Sequence, residues 1–142
     1  MPALLAMAAW GVPAWANAEV VLVGSASLPF GEISKTKLRD LYTGQSQTVG
    51  EAQVMVIDRE DQFGERSQFI YNTLGFSTDE FTTVQRLLEC IGGAKTPPVA
   101  KSASQMLDML NRNPNALGYL SKKELADLPA QIKLRQIRIL PQ

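Results

Sequence analysis

The side chains best placed to do chemistry in this sequence are Arg59 and Arg66, and the chemistry they suit is recognition of an anion. They bracket Gly64 and follow directly on the apolar run Val54-Met55-Val56-Ile57. A short, continuous apolar run reads as a buried strand. In open α/β sheets ligands settle beyond the carboxyl ends of strands, where helix N-termini offer free N–H groups and a partial positive charge. Gly64 lets backbone approach a ligand closely, and Ser67 adds a hydroxyl next to Arg66. Ser25 and Ser27, after the first apolar run, are further donors. The candidate ligand set for a small oxyanion is therefore Arg59, Gly64, Arg66, Ser67 and Ser25. The bland reading stays open beside it, because two arginines near a strand end also fit plain surface charge and Ser25 to Ser27 fits a serine-rich turn.

Other reactive side chains carry less. Cys90 lies off the apolar stripe of its helix and has no histidine partner. Met106 and Met109 suit core filling. Lys95 and Lys101, around Pro97-Pro98, either lean over a bound anion or are solvated loop lysines. No nucleophile–base pair, P-loop or GxGxxG pattern occurs, so no enzyme is expected and no catalytic residue is assigned.

Composition narrows the classes further. The 142 residues suit one domain. Lys+Arg and Asp+Glu are tied at 14 each, which leaves no net charge to draw the chain onto nucleic acid or an anionic membrane. Histidine is absent and there is one cysteine, so no metal site, disulfide or cofactor is expected. With 45% hydrophobic and 20% charged residues the chain reads as folded.

Residues 1–18 read as a signal peptide rather than part of the fold. The segment has no charged side chain, and Ala16-Asn17-Ala18 supplies the small-x-small pattern of a cleavage site. No Lys or Arg precedes the apolar stretch, which departs from the usual pattern. A buried N-terminal helix is the alternative. The apolar run is too short for a bilayer span of about 20 residues, so the cleaved protein is expected not to span a membrane. Export then implies a periplasmic location, with residues 19–142 as the folded domain.

The elements that must position the arginines follow from caps and periods. Residues 20–23 form a first buried strand. Ile33 and Leu38 staple a helix capped by Ser34, with Leu38, Leu41 and Tyr42 on one face and Gly44 at its end. A helix near Gly64 puts Phe63, Ile70 and Leu74 on one face and ends at Gly75. Ser77 with Glu80 is a capping box stapled by Phe76 and Phe81, and Phe81, Val84, Leu87, Leu88 and Ile91 make its helix amphipathic. Capping boxes recur at Ser102 with Gln105 and at Ser121 with Glu124, the latter stapled by Leu120 and Leu125. Ala103, Met106, Leu107 and Leu110 take helical spacing. Residues 116–120 form a short apolar segment, and 132–140 alternate as a strand. Strands separated by helices predict an α/β fold with a mostly parallel sheet flanked by helices.

The order of these features resembles the phosphate ABC-transporter substrate-binding proteins of the periplasmic binding protein type 2 superfamily. Ser34-Lys35-Thr36-Lys37-Leu38-Arg39-Asp40-Leu41-Tyr42-Thr43-Gly44 is similar to that family's helix ending in an aromatic-x-Gly signature. Residues 54–69 are similar to its strand, arginine and glycine-containing helix start. Pro97-Pro98 and Asn113-Pro114-Asn115-Ala116-Leu117-Gly118-Tyr119 resemble its proline-rich loop and its Asn-Pro-Gly-Ala-Ile-Gly-Tyr stretch. The resemblance covers nearly all of residues 19–140. It implies a single periplasmic-binding-protein-like (PBP-like) lobe, since there is room for one lobe only and the motifs resemble the second. It also implies a solute-binding role in which Arg59 holds the oxyanion and Asp61 orients Arg59. The family's ligand loop runs Arg-x-Asp-Gly-Ser-Gly-Thr, whereas this chain reads Arg59-Glu60-Asp61-Gln62-Phe63-Gly64-Glu65. Phe63 stands for the serine and Glu65 for the threonine, so a hydroxyl donor becomes a ring and another becomes a carboxylate that repels anions.

Two expectations result. One is an exported solute-binding module for a small, phosphate-like oxyanion that works with a transporter. The other is a non-catalytic periplasmic interaction protein that kept the fold, lost the ligand, and docks on a protein partner or on itself.

Overall fold

The computed structural model describes residues 19–60, 64–92 and 96–141. Residues 1–18, where a signal peptide is expected, and Asp61, Phe63 and Lys95 lie outside the described residues.

Strand β1 (Val20–Ser25) runs through the centre of a four-stranded sheet ordered β5-β8-β1-β9, where β5 is Met55–Val56, β8 is Ala116–Ser121 and β9 is Leu134–Gln136. β5 and β8 are parallel, but β1 runs antiparallel to both β8 and β9. This corrects the expectation of a mostly parallel sheet: the central sheet is mixed. The physical reason is that a continuous apolar run reports burial on both faces and says nothing of strand direction. β1 meets β8 only after most of the chain has intervened, so no local crossover dictates their relative sense.

Two strands change neighbours along their length. Ile57 N–H donates to Leu117 O at 2.8 Å, whereas the next residue, Asp58, donates to Pro98 O at 2.9 Å. The strand thereby passes from β8 to a parallel pairing of β6 (Asp58–Arg59) with β7 (Val99–Ala100). At the other edge Ile137 N–H donates to Leu22 O and Arg138 N–H to Gly31 O. β10 (Arg138–Leu140) then pairs in parallel with β2 (Glu32–Ser34). A small hairpin joins β3 (Thr48–Val49) to β4 (Ala52–Gln53).

Side-chain alternation along β1 and β8 sends residues to two cores on opposite faces. Leu22, Leu117 and Tyr119 pack on one face against Leu38, Tyr42, Phe69, Ile70 and Phe81. These come from α1 (Lys35–Thr43), the π-helical turn Phe69–Leu74 that continues α2 (Glu65–Gln68), and α3 (Thr78–Gly92). Val23, Ala116 and Leu120 pack on the other face against Ile57, Ala100 and the Met106 and Leu110 of α4 (Ala103–Arg112). Gly118 lets α4 pack closely there, since a Cβ would stand 2.6 Å from Met106 Sδ and push that side chain aside.

The local expectations are largely met. Ser34 caps α1, which ends at Gly44. Ser77 and Glu80 exchange both capping-box bonds, with Phe76 and Phe81 ring centroids 6.0 Å apart. Ser121 and Glu124 form the capping box of α5 (Lys122–Ala126). At Ser102 the box is shifted, because Gln105 Oε1 accepts from Lys101 N–H instead. The stripe of α3 is only partly covered: Phe81 is buried, but Leu87 is 58% exposed and Ile91 73%.

Candidate functional site

Asp58 and Arg59 are consecutive residues of β6, so their side chains leave the strand on opposite faces. Both are buried, an arrangement charged side chains adopt only when paired. The structure pairs both.

Asp58 turns toward the aromatic core. Its Oδ1 accepts from Tyr119 OH at 2.7 Å and from Arg59 N–H at 2.8 Å, and its Oδ2 accepts from Arg66 Nε at 3.0 Å. Phe69 stacks on Tyr119 at 3.9 Å between centroids and meets Tyr42 edge-on at 4.9 Å. Tyr42 OH donates to Ile57 O at 2.9 Å. Burial pushes the Tyr119 hydroxyl well above the usual tyrosine range, and the Asp58 charge adds to the effect. Tyr42 is raised by the same two causes in the same order. Both phenols therefore stay protonated and act as donors.

Arg59 turns the other way, to the start of α5. Nη1 donates to Glu124 Oε1 at 2.6 Å and Nη2 to Oε2 at 3.0 Å, a two-pronged grip of guanidinium on carboxylate. Glu124 Oε1 also accepts from Ser121 N–H at 2.8 Å, and Ser121 Oγ accepts from Glu124 N–H at 3.1 Å. One carboxylate thus caps a helix and neutralises a buried arginine. Burial works against the Arg59 charge, but the Glu124 hydrogen bonds and charge, with a smaller contribution from Glu65, hold its pKa above the ordinary value. Burial likewise tends to raise Glu124, while Arg59 and the Ser121 backbone outweigh it and hold the carboxyl below its usual range.

Arg59 and Arg66 are therefore linked only through consecutive residues of β6: Arg66 pairs with Asp58 on one face of the strand and Arg59 with Glu124 on the other. Gly64, at φ 89°, is the turn that starts α2, a left-handed conformation that favours glycine. Ser67 is half-buried within α2. Asp61, the expected orienting residue, is outside the described residues, and the described carboxylate on Arg59 belongs to Glu124.

Ser25 is not brought to this cluster. Register places Val20 opposite Ser121 and Gly24 opposite Leu117, so Ser25 lies at the amino end of β8 while Glu124 follows its carboxyl end. The expectation assumed that both strands end on the same side, and the antiparallel β1 reverses that. Ser25 Oγ instead accepts from Ser27 N–H at 3.2 Å, the serine-turn alternative. Lys101 is exposed, at the start of the Ser102 cap.

Three residues of the cluster escaped sequence reasoning: Asp58, Tyr119 and Glu124. Glu124 was visible as a capping residue, but nothing local signals that both its oxygens also reach a residue so distant in sequence. A cleft of about 340 Å³ opens at the opposite end of the sheet, lined by Leu41, Gln47, Val56, Pro97 and Asn115 among others, with no charged side chain.

No protein-family model matches the sequence, and no curated protein matches it either. Solved structures do. An ABC-type phosphate transport receptor from Vibrio cholerae superposes with a TM-score of 0.61 at 21% identity, over 85% of this chain and 46% of the receptor. PstS from Borrelia burgdorferi gives 0.64 at 19% identity, over 87% of this chain and 49% of PstS. A protein from Clostridium perfringens, assigned as a phosphate ABC transporter substrate-binding protein and solved with bound phosphate, gives 0.60 at 17%, over 85% and 44%. The chain has the fold of phosphate-type substrate-binding proteins and spans less than half the length of those it matches. These neighbours are a transport receptor and a transporter substrate-binding protein. Among the described residues no helix is long and apolar enough to cross a membrane.

Proposed function

We propose that this chain is an exported, non-enzymatic solute-binding module that recognises a small oxyanion at Arg59, acting in ABC-type transport. The observation that carries the reading is the grip of Arg59 on an oxyanion of the chain itself, the Glu124 carboxylate, held by two parallel hydrogen bonds at the end of β6. A guanidinium built in at 5% exposure and presenting both nitrogens to a two-oxygen acceptor is the recognition element a carboxylate or phosphate ligand requires. Gly64, Arg66 and Ser67 are the further proposed contacts, Arg66 joining only by leaving Asp58, with Asp61 as the orienting residue. The likeness to phosphate receptors supports the same class of ligand. Glu65 and Glu124 add negative charge beside Arg59, so phosphate binding is weak, with Kd in the range of about 1 mM or above.

Calorimetry of the protein against phosphate, sulfate and small carboxylates tests this. The expected result is weak, salt-sensitive binding of at least one oxyanion that disappears in Arg59→Ala. Binding that persists in that variant overturns the assignment, and micromolar phosphate binding by the unmodified protein overturns the role given to the two glutamates.

A second reading is favoured by one observation: Leu87 and Ile91 leave part of the α3 stripe open, as a protein that docks on a periplasmic partner requires. Loss of all oxyanion binding together with a stable complex after cross-linking would favour that reading over the first.

A further inference from the structure

We infer that Glu124 is a built-in competitor for the Arg59 subsite, an internal ligand that an incoming oxyanion must displace. The inference rests on the reading of Arg59 as an oxyanion subsite and adds how access to it is governed. Three observations carry it. First, both terminal nitrogens of Arg59 are committed to Glu124, at 2.6 and 3.0 Å, so the hydrogen-bond pattern that would hold a ligand is already filled. Second, the two partners are unequally embedded: Arg59 is 5% exposed and Glu124 21%, so the arginine is fixed in the protein and the carboxylate is the member that meets solvent. Third, the start of α5 has a cap that does not involve Arg59. Glu124 Oε1 also accepts from Ser121 N–H, and Glu124 N–H is held by Ser121 Oγ. Ser121 Oγ therefore still caps α5 when the carboxylate leaves Arg59, although the Oε1 that Ser121 N–H shares with Arg59 Nη1 must shift.

The consequence is quantitative. When the binding-competent state is populated only fractionally, the apparent dissociation constant is the intrinsic one divided by that fraction. A site whose arginine is mostly occupied by Glu124 must then bind external anions far more weakly than the arginine itself would allow. Phosphate, with two negative charges against one on Glu124, is held off by Glu65 as well. Weak binding is thus a property of occupancy, and removing the competitor restores affinity without adding a single contact.

Glu124→Gln is the discriminating change. Glutamine keeps the N3 role in a capping box, so α5 retains its start, but it removes the charge that competes for Arg59. In full-length protein, titrated with inorganic phosphate and separately with sulfate by calorimetry, Glu124→Gln should bind at least about ten-fold more tightly than wild type. The gain should vanish in the double variant Arg59→Ala with Glu124→Gln. Should Glu124→Gln fail to fold, Glu124→Asp carries the test: its shorter stem cannot reach both Arg59 nitrogens, and it should bind phosphate more tightly than wild type. Equal, measurable phosphate affinity in wild type and in whichever folded Glu124 variant is used overturns the competitor and leaves the oxyanion reading intact. No binding by any folded form at tens of millimolar phosphate overturns the oxyanion reading itself, and a gain that survives Arg59→Ala overturns the placement of both at this arginine.

Discussion

Arg59 and Glu124 hold each other in a setting where neither is comfortable alone. Removing the arginine leaves a half-buried carboxylate facing the space the guanidinium filled. Arg59→Ala should destabilise the fold by about 2–3 kcal/mol, less than the ~3–5 kcal/mol typical of breaking a fully buried pair, because Glu124 keeps some solvent. Urea denaturation measures it, and a change below about 0.5 kcal/mol would place the pair among ordinary surface contacts. The pH dependence has a definite sign. The folded-state pKa of Glu124 is depressed, so its stabilising contribution is complete above the ordinary carboxylate value of about 4.3 and is lost as pH falls through the folded value. Arg59 is raised and stays charged throughout that range, so it contributes no titration of its own. Glu80, lowered by its bonds to Ser77, titrates in the same window and contributes to the acid loss in wild type and variant alike. The stability difference between wild type and Glu124→Gln should therefore be constant above about pH 5 and shrink as pH falls toward 3. A difference that stays constant down to pH 3 would show that the ion pair does not depend on the Glu124 charge. Tyr119→Phe tests the neighbouring cluster. It removes one charge-assisted donor from Asp58 and should cost about 1.5–3 kcal/mol, read in the same denaturation experiment.

Among the elements, what was readable in the sequence is what depends on near neighbours. Ser34, Ser77 and Ser121 announce helix starts because a cap and its N3 partner lie within one turn, and all three are found as read. Gly75 closes the π-helical turn in a left-handed conformation for the same local reason. The Ser102 box was half readable: the serine caps as expected, but Gln105 is long enough to choose between two adjacent N–H groups and takes Lys101. The outer part of the α3 stripe shows the limit of periodicity, which reports amphipathicity, whereas whether a neighbour covers Leu87 and Ile91 is a tertiary matter. The two reciprocal capping boxes should also differ in weight. Ser77→Ala acts on an exposed helix start and should cost about 0.5–1 kcal/mol, whereas Ser121→Ala loosens the residue that holds Arg59 and should cost about 1–2 kcal/mol. Equal costs in thermal or urea unfolding would separate the cap from the ion pair.

At the scale of the whole molecule, strand order and direction were the least readable features. The run Val20 to Val23 carries the same apolar signal whichever way it enters the sheet, and its antiparallel sense carries Ser25 away from Arg59. Arg59, Gly64 and Arg66 follow one another along strand, turn and helix, a succession legible in sequence, while Glu124 reaches Arg59 only through the β5–β8 pairing. That same pairing makes the fold indivisible. β1 and β8 each contribute to both cores, Leu22 and Tyr119 to one and Val23 and Leu120 to the other. Neither core survives without strands that the other also needs, and Gly118 brings α4 against the sheet so closely that Met106 reaches its backbone. Residues 19–142 should therefore unfold in one cooperative step. Near-UV circular dichroism follows Tyr42 and Tyr119 on one face, and amide exchange in α4 follows the other. The two should share one urea midpoint and one apparent free energy. An α4 that exchanges well before the tyrosine signal is lost would mean that the two faces of the sheet are separate cooperative units.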